Sequence, residues 1–401
     1  MSNLHEVLGH ARERAGYSQD DVGAALGVSR VMISYWEVGS RAPNDRQLSA
    51  MARLYGVQLS DLVAGRELEP ADIDLAGMLL RADGGINPGT APGIREFVQF
   101  LDRYAELARL LHVPIRGLNQ SPFLYRSKFT QKDDIRRKAE EVRAYLGIGT
   151  GPISDLDPVC EMLGITVYRA PMGSDLSKAP SGAFVKHPDV GFSMLVNLDM
   201  TLGRRRFTVA HELAHALFHS NDTSHTLSLG TSPRESFADA FAGEFLIPSE
   251  GVRRFMEELG MRPRIVDAVD VIHIQRYFRV SWPTALIRLR QMNAMNVDTY
   301  QNLRHSVRPV SLARSLGYVV YPEEYNPDAG RWRIHRFPRP FLRMLRHAVN
   351  TEAMSPPTAA SFAGLGIPDI VNVLGQPTGS GTDEPPHLQT EFNEFEVTGV
   401  I

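Results

Sequence analysis

Cysteine is almost missing from these 401 residues, with Cys160 the only one. No internal disulfide can form, a cysteine-built zinc site is excluded, and a reducing compartment such as the cytoplasm is the expected home. Long apolar runs are missing too. None approaches the roughly 18 residues of a membrane span, and the opening Met1-Ser2-Asn3-Leu4-His5-Glu6 lacks the basic-then-apolar pattern of a signal peptide, so neither export nor a membrane is expected. Charge of one sign is also lacking: 43 Lys and Arg face 46 Asp and Glu, a formal −3. No global basic field announces nucleic acid, and any DNA contact must be local. At 43% hydrophobic and 22% charged the chain is neither wholly disordered nor collagen-like nor a coiled coil. Its length suits two or three domains.

What is present begins with five short helical patterns over residues 1–65, set apart by Gly and Ser. Leu4, Val7, Leu8 and Ala11, then Val22, Leu26, Ile33 and Trp36, then Leu48, Met51 and Leu54 supply their apolar positions. Residues 18–37 place two helices around a turn at Gly27-Val28-Ser29, the spacing of a helix-turn-helix, with Ser29 placed to cap the second helix and Val28, Ile33 and Trp36 facing inward. Ser18-Gln19, Gly27-Val28-Ser29, Ile33-Ser34-Tyr35-Trp36-Glu37 and then Gly39, Arg41 and Pro43 resemble the XRE family of phage-repressor-like regulators over almost all of this segment. The resemblance implies a double-stranded DNA operator, with Arg30, Val31, Ser34 and Tyr35 on base edges and Gln19 and Arg41 on phosphates. Six Arg against seven acids is little charge for a lone monomer, so a homodimer on a two-part site is expected. A protein-interaction module is the rival reading.

Residues 66–127 read as linker plus amphipathic helix. The stretch 82–93 is too rich in Gly and Pro for a regular element. After it Ile94, Phe97, Leu101, Tyr104, Ala108 and Leu111 form a stripe that either pairs two subunits or lies on the chain's own core. Residues 128–295 read as a mixed α+β domain, with helices over 128–146 and 156–163 and strands over 165–168, 182–185 and 193–197. Residues 296–401 form a mostly helical C-terminal region. There Arg331, Arg333, Arg336, Arg339, Arg343 and Arg346, with His335 and His347, make a basic strip suited to DNA phosphate or an acidic partner, the rival readings being a solvated surface or pairing with the acidic N-terminal segment. The stretch 355–386 is partly low in complexity and reads as a mobile tail, within which 365–374 is a short amphipathic piece that docks a partner or caps the fold.

The chemistry centres on His211-Glu212-Leu213-Ala214-His215 in an apolar helical frame. On a helix both imidazoles stand one turn apart on one face and reach one metal, with Glu212 beside them to take a proton from water. A metzincin is ruled out, because the position ten residues after His211 is Asn221. His219 lies about 6 Å further along the axis, too far to close the same tetrahedron, and reads as core or as a neighbour of the ligands. Downstream, Phe237, Phe241 and Phe245 form a buried stripe on a second helix. Glu235 and Asp239 on it stand one turn apart, so Glu235 can supply a third ligand while Asp239 accepts a hydrogen bond from a ligating His. The competing reading makes Glu235 a helix-capping residue paired with Ser232 ahead of Pro233. Glu244 is a weaker ligand candidate, otherwise a polar residue on the outer face. Two imidazoles and a carboxylate suit Zn2+.

This motif, the Glu235-to-Pro248 segment nineteen residues later and the preceding Ser181-Gly182-Ala183-Phe184 strand together resemble the ImmA/IrrE family of cytoplasmic metallopeptidases over about residues 128–295. The resemblance also embraces helices near 271–281 and 285–292, which in the family pack behind the site. Its members cut a repressor, often of the XRE type, in response to stress or a signal. The resemblance implies a zinc endopeptidase of the gluzincin type with Glu212 catalytic, His211, His215 and Glu235 on the metal, and the 193–197 strand aligning an extended substrate as an added strand. The expected fold is multidomain: an all-α helix-turn-helix domain, an α+β gluzincin-like metallopeptidase domain, and a mostly helical C-terminal region. The expected function is a DNA-binding regulator that cleaves a partner repressor or antitoxin-like protein in a stress or phage-related response. The alternatives are a regulator whose peptidase-like domain only senses a ligand or partner, and the DNA-binding component of a toxin-antitoxin or defence module.

Overall fold

Residue alternation along a small sheet sets the architecture. The computed structural model describes residues 4–14, 17–55, 59–63, 90–118, 121–123, 132–173, 179–219, 225–227, 233–261, 264–265, 267–326 and 336–375. Among these, strands β1 (Thr166–Ala170), β2 (Gly182–His187), β3 (Gly191–Asn197) and β4 (His225–Leu227) form one sheet of order β1-β3-β2-β4, parallel between β1 and β3 and antiparallel elsewhere. Val167, Phe184, Phe192, Met194 and Val196 enter one apolar cluster, and Tyr168, Ala170, Ala183, Val185 and Leu195 enter another. Both faces are therefore covered, which is why β3 is buried along its whole length. Because β3 bonds to a strand on each side, it has no edge for a substrate, and the expectation that 193–197 aligns one is corrected.

The first face carries α9 (Leu202–Ala214) and α10 (Pro233–Leu246), backed by α7 (Lys132–Tyr145), α12 (Ala268–Phe278) and α13 (Trp282–Gln291). The short helix α8 (Asp157–Met162) leads into β1, and α11 (Ser249–Glu258) follows α10. On the second face lies α6 (Ala91–Leu111), with Ile94, Phe97, Phe100, Leu101 and Tyr104 buried. Phe100 stacks on Tyr168 with ring centroids 4.4 Å apart and meets Phe341 of α16 (Arg339–Asn350) edge-on at 5.1 Å. The stripe read as a possible subunit seam is thus spent inside the chain. Ala91-Pro92-Gly93, read as linker, is the first turn of this helix, where a proline lacks no needed donor.

The N-terminal helices are α1 (Leu4–Arg14), α2 (Gln19–Leu26), α3 (Arg30–Glu37), α4 (Asp45–Tyr55) and α5 (Leu59–Val63). Between α2 and α3, Gly27 takes φ +68, a conformation that favours glycine, and the Ser29 hydroxyl accepts from Met32 N at 3.3 Å. Arg95 of α6 reaches into this unit, donating to Tyr17 Oη at 2.9 Å and to Leu54 O while lying 4.3 Å from the Tyr17 ring centroid.

Beyond α13 the chain runs through α14 (Val297–Ser306), α15 (Pro309–Ser315), α16, α17 (Pro356–Ala363) and α18 (Ile367–Gly375). The basic strip is largely an internal seam: Arg336 pairs with Glu96 at 2.7 Å, Arg339 with Asp155 at 2.6 Å and Arg343 with Glu161 at 3.3 Å. Those partners lie on α6 and around α8, outside the N-terminal segment. Arg331, Arg333 and His335 fall outside the described residues. The stretch read as a mobile tail contains α17, capped by Ser355 and burying Ala359 and Ala360, and α18, which buries Ile370. Residues 376–401 lie outside the described set. No described helix is long and apolar enough to cross a membrane.

Candidate functional site

Helices α9 and α10 pack side by side and bring the two motifs to one point. His211 Nε2 stands 3.1 Å from His215 Nε2 and 3.0 Å from Glu235 Oε2, and His215 Nε2 stands 3.2 Å from Glu235 Oε1. Among the described residues this trio alone groups metal-binding atoms so closely. Ligand atoms about 2.0–2.2 Å from a shared tetrahedral centre stand roughly 3.3–3.6 Å apart, so these two imidazoles and the carboxylate, 3.0–3.2 Å apart, need open by only a few tenths of an ångström to take zinc. Ser232, needed for the capping reading of Glu235, lies outside the described residues.

Electrostatics bind the trio together. Burial opposes a charge on His211, yet hydrogen bonds to Asp239 and Glu235 outweigh it and raise the imidazole to about 10. Burial likewise opposes the Glu235 charge, while hydrogen bonds from His211 and His215 hold the carboxyl down at about 2. Asp239 Oδ1 is 2.9 Å from His211 Nδ1, and its side chain is 62% exposed, so it backs the ring from the solvent side. At the end of α9 the helix widens into a π turn, His215–His219. His219 lies buried behind His215 with their Nδ1 atoms 2.9 Å apart, and burial, then His215, pushes its imidazole down to about 3.

Glu212 is fully buried. Its seat depends on Gly182 of β2, a residue whose role the sequence reading missed. A Cβ there would lie 2.5 Å from Thr208 Cγ2, 2.9 Å from Glu212 Oε1 and 3.0 Å from Leu195 O. A glycine inside a strand commonly marks such a close approach, and that was the available signal. Gly182→Ala is expected to displace the Glu212 carboxylate and to cost about 1–3 kcal/mol in stability while leaving the metal trio intact. Denaturant titration with zinc analysis of the purified variant checks this, and a wild-type midpoint would contradict it.

Glu244 is corrected in both of its readings. It neither joins the trio nor faces outward: it is 4% exposed, pairs with Arg288 of α13, and accepts from Ser249 N at 2.8 Å and Ser249 Oγ at 3.1 Å. The packing of α13 and the start of α11 against α10 turns that face into core.

In the N-terminal unit Ile33 and Trp36 are buried, while Arg30, Val31, Tyr35 and Arg41 are exposed and Ser34 is half-buried. Arg30 lies 3.8 Å from Asp20, both side chains well exposed, a pairing worth little. Arg41 sits 5.7 Å from the Tyr35 ring centroid. These residues share an outer face beginning at the exposed N-terminal turn of α3. Gln19, assigned to phosphate by resemblance, donates from Nε2 to Glu37 Oε2 at 2.9 Å, and Glu37 is also held by Arg12 at 2.5 Å.

A family model described as a helix-turn-helix matches residues 8–62, and a peptidase family model described as an IrrE N-terminal-like domain matches residues 160–290. No curated protein matches the chain. Among solved structures, a Mycobacterium tuberculosis transcriptional regulator shares 22% identity over 47% of this chain and 52% of its own, with TM-score 0.26. This chain thus spans about half the length of that protein. A point mutant of PrgX shares 10% identity over 90% of this chain and 100% of its own, with TM-score 0.15. The chain thus carries a segment similar to a helix-turn-helix of the XRE type, followed by one similar to an IrrE N-terminal-like peptidase domain.

Proposed function

We propose that this protein is a DNA-binding regulator whose metallopeptidase-type domain hydrolyses a peptide bond in a partner repressor or antitoxin-like protein. The observation that carries the reading is the convergence of His211, His215 and Glu235 beside a fully buried Glu212. His211, His215 and Glu235 would hold a zinc ion, which when bound would polarise the scissile carbonyl and make water easier to deprotonate near neutral pH. Glu212 takes the proton from the attacking water and returns it to the leaving amine. Asp239 accepts from His211 Nδ1, fixing that ring with Nε2 turned inward. Gly182 keeps the space that lets the Glu212 carboxylate lie there.

Comparing protein N-termini in cells that carry the wild-type chain with cells that carry Glu212→Gln, under several stresses, tests the reading. A new terminus present only with Glu212 supports it and names the substrate. If none appears while the purified wild type holds one zinc per chain, the domain acts as a sensor.

At the DNA end, the outer face formed by Arg30, Val31, Ser34, Tyr35 and Arg41 is the proposed operator-reading surface, bound as a dimer on a two-part site. Arg30→Ala is expected to weaken specific binding by about 1–3 kcal/mol if its guanidinium reads a guanine. Gel shifts at fixed salt measure this, and an unchanged affinity removes Arg30 from the interface.

A further inference from the structure

The π turn at His215–His219 places a second buried imidazole directly behind a ligand. In a π turn the backbone bonds run from i to i+5, a rare geometry in proteins that recurs at functional sites. Here His215 and His219 meet with Nδ1 atoms 2.9 Å apart and ring centroids 5.0 Å apart, at 1% and 2% exposure. A hydrogen bond between two ring nitrogens needs a proton on one and a lone pair on the other. The Nε2 of His215 is the atom that converges with His211 and Glu235, so as a ligand it must present its lone pair there. The neutral ring then carries its proton on Nδ1, and His219 Nδ1 is left as the acceptor.

We propose that His219 is a positioning residue of the metal centre, accepting the His215 Nδ1–H hydrogen bond and thereby fixing the tautomer and orientation of that ligand. The inference rests on the metal-centre reading above. It gives the two histidines different supports: His211 is backed by the solvent-facing carboxylate of Asp239, and His215 by an uncharged ring deep in the core. The choice of group follows from the surroundings. The His219 ring lies 5.2 Å from the Phe237 ring in an apolar cluster, where a carboxylate would carry a large desolvation cost.

The test uses the full chain with zinc and cobalt(II) as probes. His219→Phe keeps a ring of similar size and removes the acceptor, whereas His219→Gln retains an acceptor oxygen. The expected result is a fall in zinc affinity of about 10- to 100-fold for the Phe variant, read by competition with a chromophoric chelator, with shifted cobalt absorption bands. The Gln variant is expected within a few-fold of wild type, and the metal-free Phe variant should melt with the metal-free wild type. Wild-type affinity and an unchanged cobalt spectrum in the Phe variant overturn the role of His219. Equal losses in both variants overturn it as well, by assigning the effect to packing. If the Phe variant does not fold, the Gln variant decides, and a loss of 10-fold or more there overturns the role. A wild type that takes up no zinc would defeat the metal-centre reading itself, which keeps the two failures distinct.

Discussion

Glu212→Gln is expected to retain one zinc per chain and to slow the proposed cleavage by about 10²- to 10⁴-fold, the range for loss of a general base. The substituted amide has almost the shape of the carboxylate, so it fits the space beside Gly182 and leaves His211, His215 and Glu235 undisturbed. It cannot, however, take a proton from water. His211→Ala is expected to behave differently, losing metal and cleavage together, because it removes one corner of a trio whose members are 3.0–3.2 Å apart. Elemental analysis of both purified variants, with turnover of the substrate identified from N-termini, separates the two effects. Zinc retained at full stoichiometry in His211→Ala would sink the ligand assignment, and wild-type turnover in Glu212→Gln would remove Glu212 from the chemistry.

The second large effect concerns stability. Arg288→Ala is expected to destabilise the fold by about 3–5 kcal/mol, because it strands the Glu244 carboxylate in the core. Arg288 is 7% exposed, and it also donates to Ile247 O at 2.9 Å and Ser249 Oγ at 2.6 Å, so one truncation leaves several buried acceptors short of a donor. A drop in melting temperature on the order of 10 °C follows for a domain of this size. Replacing both partners with Leu removes the buried charge along with its counter-ion, and most of the loss should return. Thermal melts of the single and double variants measure the difference. A double variant no more stable than Arg288→Ala would show that packing around the pair, more than its charge, carries the effect.

Much of this molecule was legible because short-range rules dominate where its motifs lie. The cap at Ser29, the burial of Ile33 and Trp36 and the stacked Phe237, Phe241 and Phe245 all follow from helical spacing, which a single sequence displays. The partnership of His211 with Asp239 was readable for the same reason, since each sits on a helix with known rise and turn. What escaped depends on contacts between distant segments. Nothing near Glu244 announces Arg288, which is 44 residues away, and nothing near Arg339 or Arg343 announces Asp155 or Glu161. Strand order is also non-local: β3 looks like any half-exposed strand until β1 is seen pairing on its far side. The π turn escaped because His215 to His219 carries a spacing that fits an α-helix equally well.

Arg95 and the apolar residues around it have a thermodynamic consequence. Val7, Ile33, Met51 and Leu62 of the N-terminal helices belong to the same buried cluster as Ile94 and Phe97 of α6, Leu195 on the far face of the sheet and Phe341 of α16. Separate globules joined by a string would open independently, each with its own free energy. Here the N-terminal helices meet α6 at Arg95 and the apolar residues beside it, so parting the two wets that seam, and the cost of loosening one is borne partly by its neighbour. Strain introduced on one side of that seam is therefore expected to shift the opening equilibrium of the other.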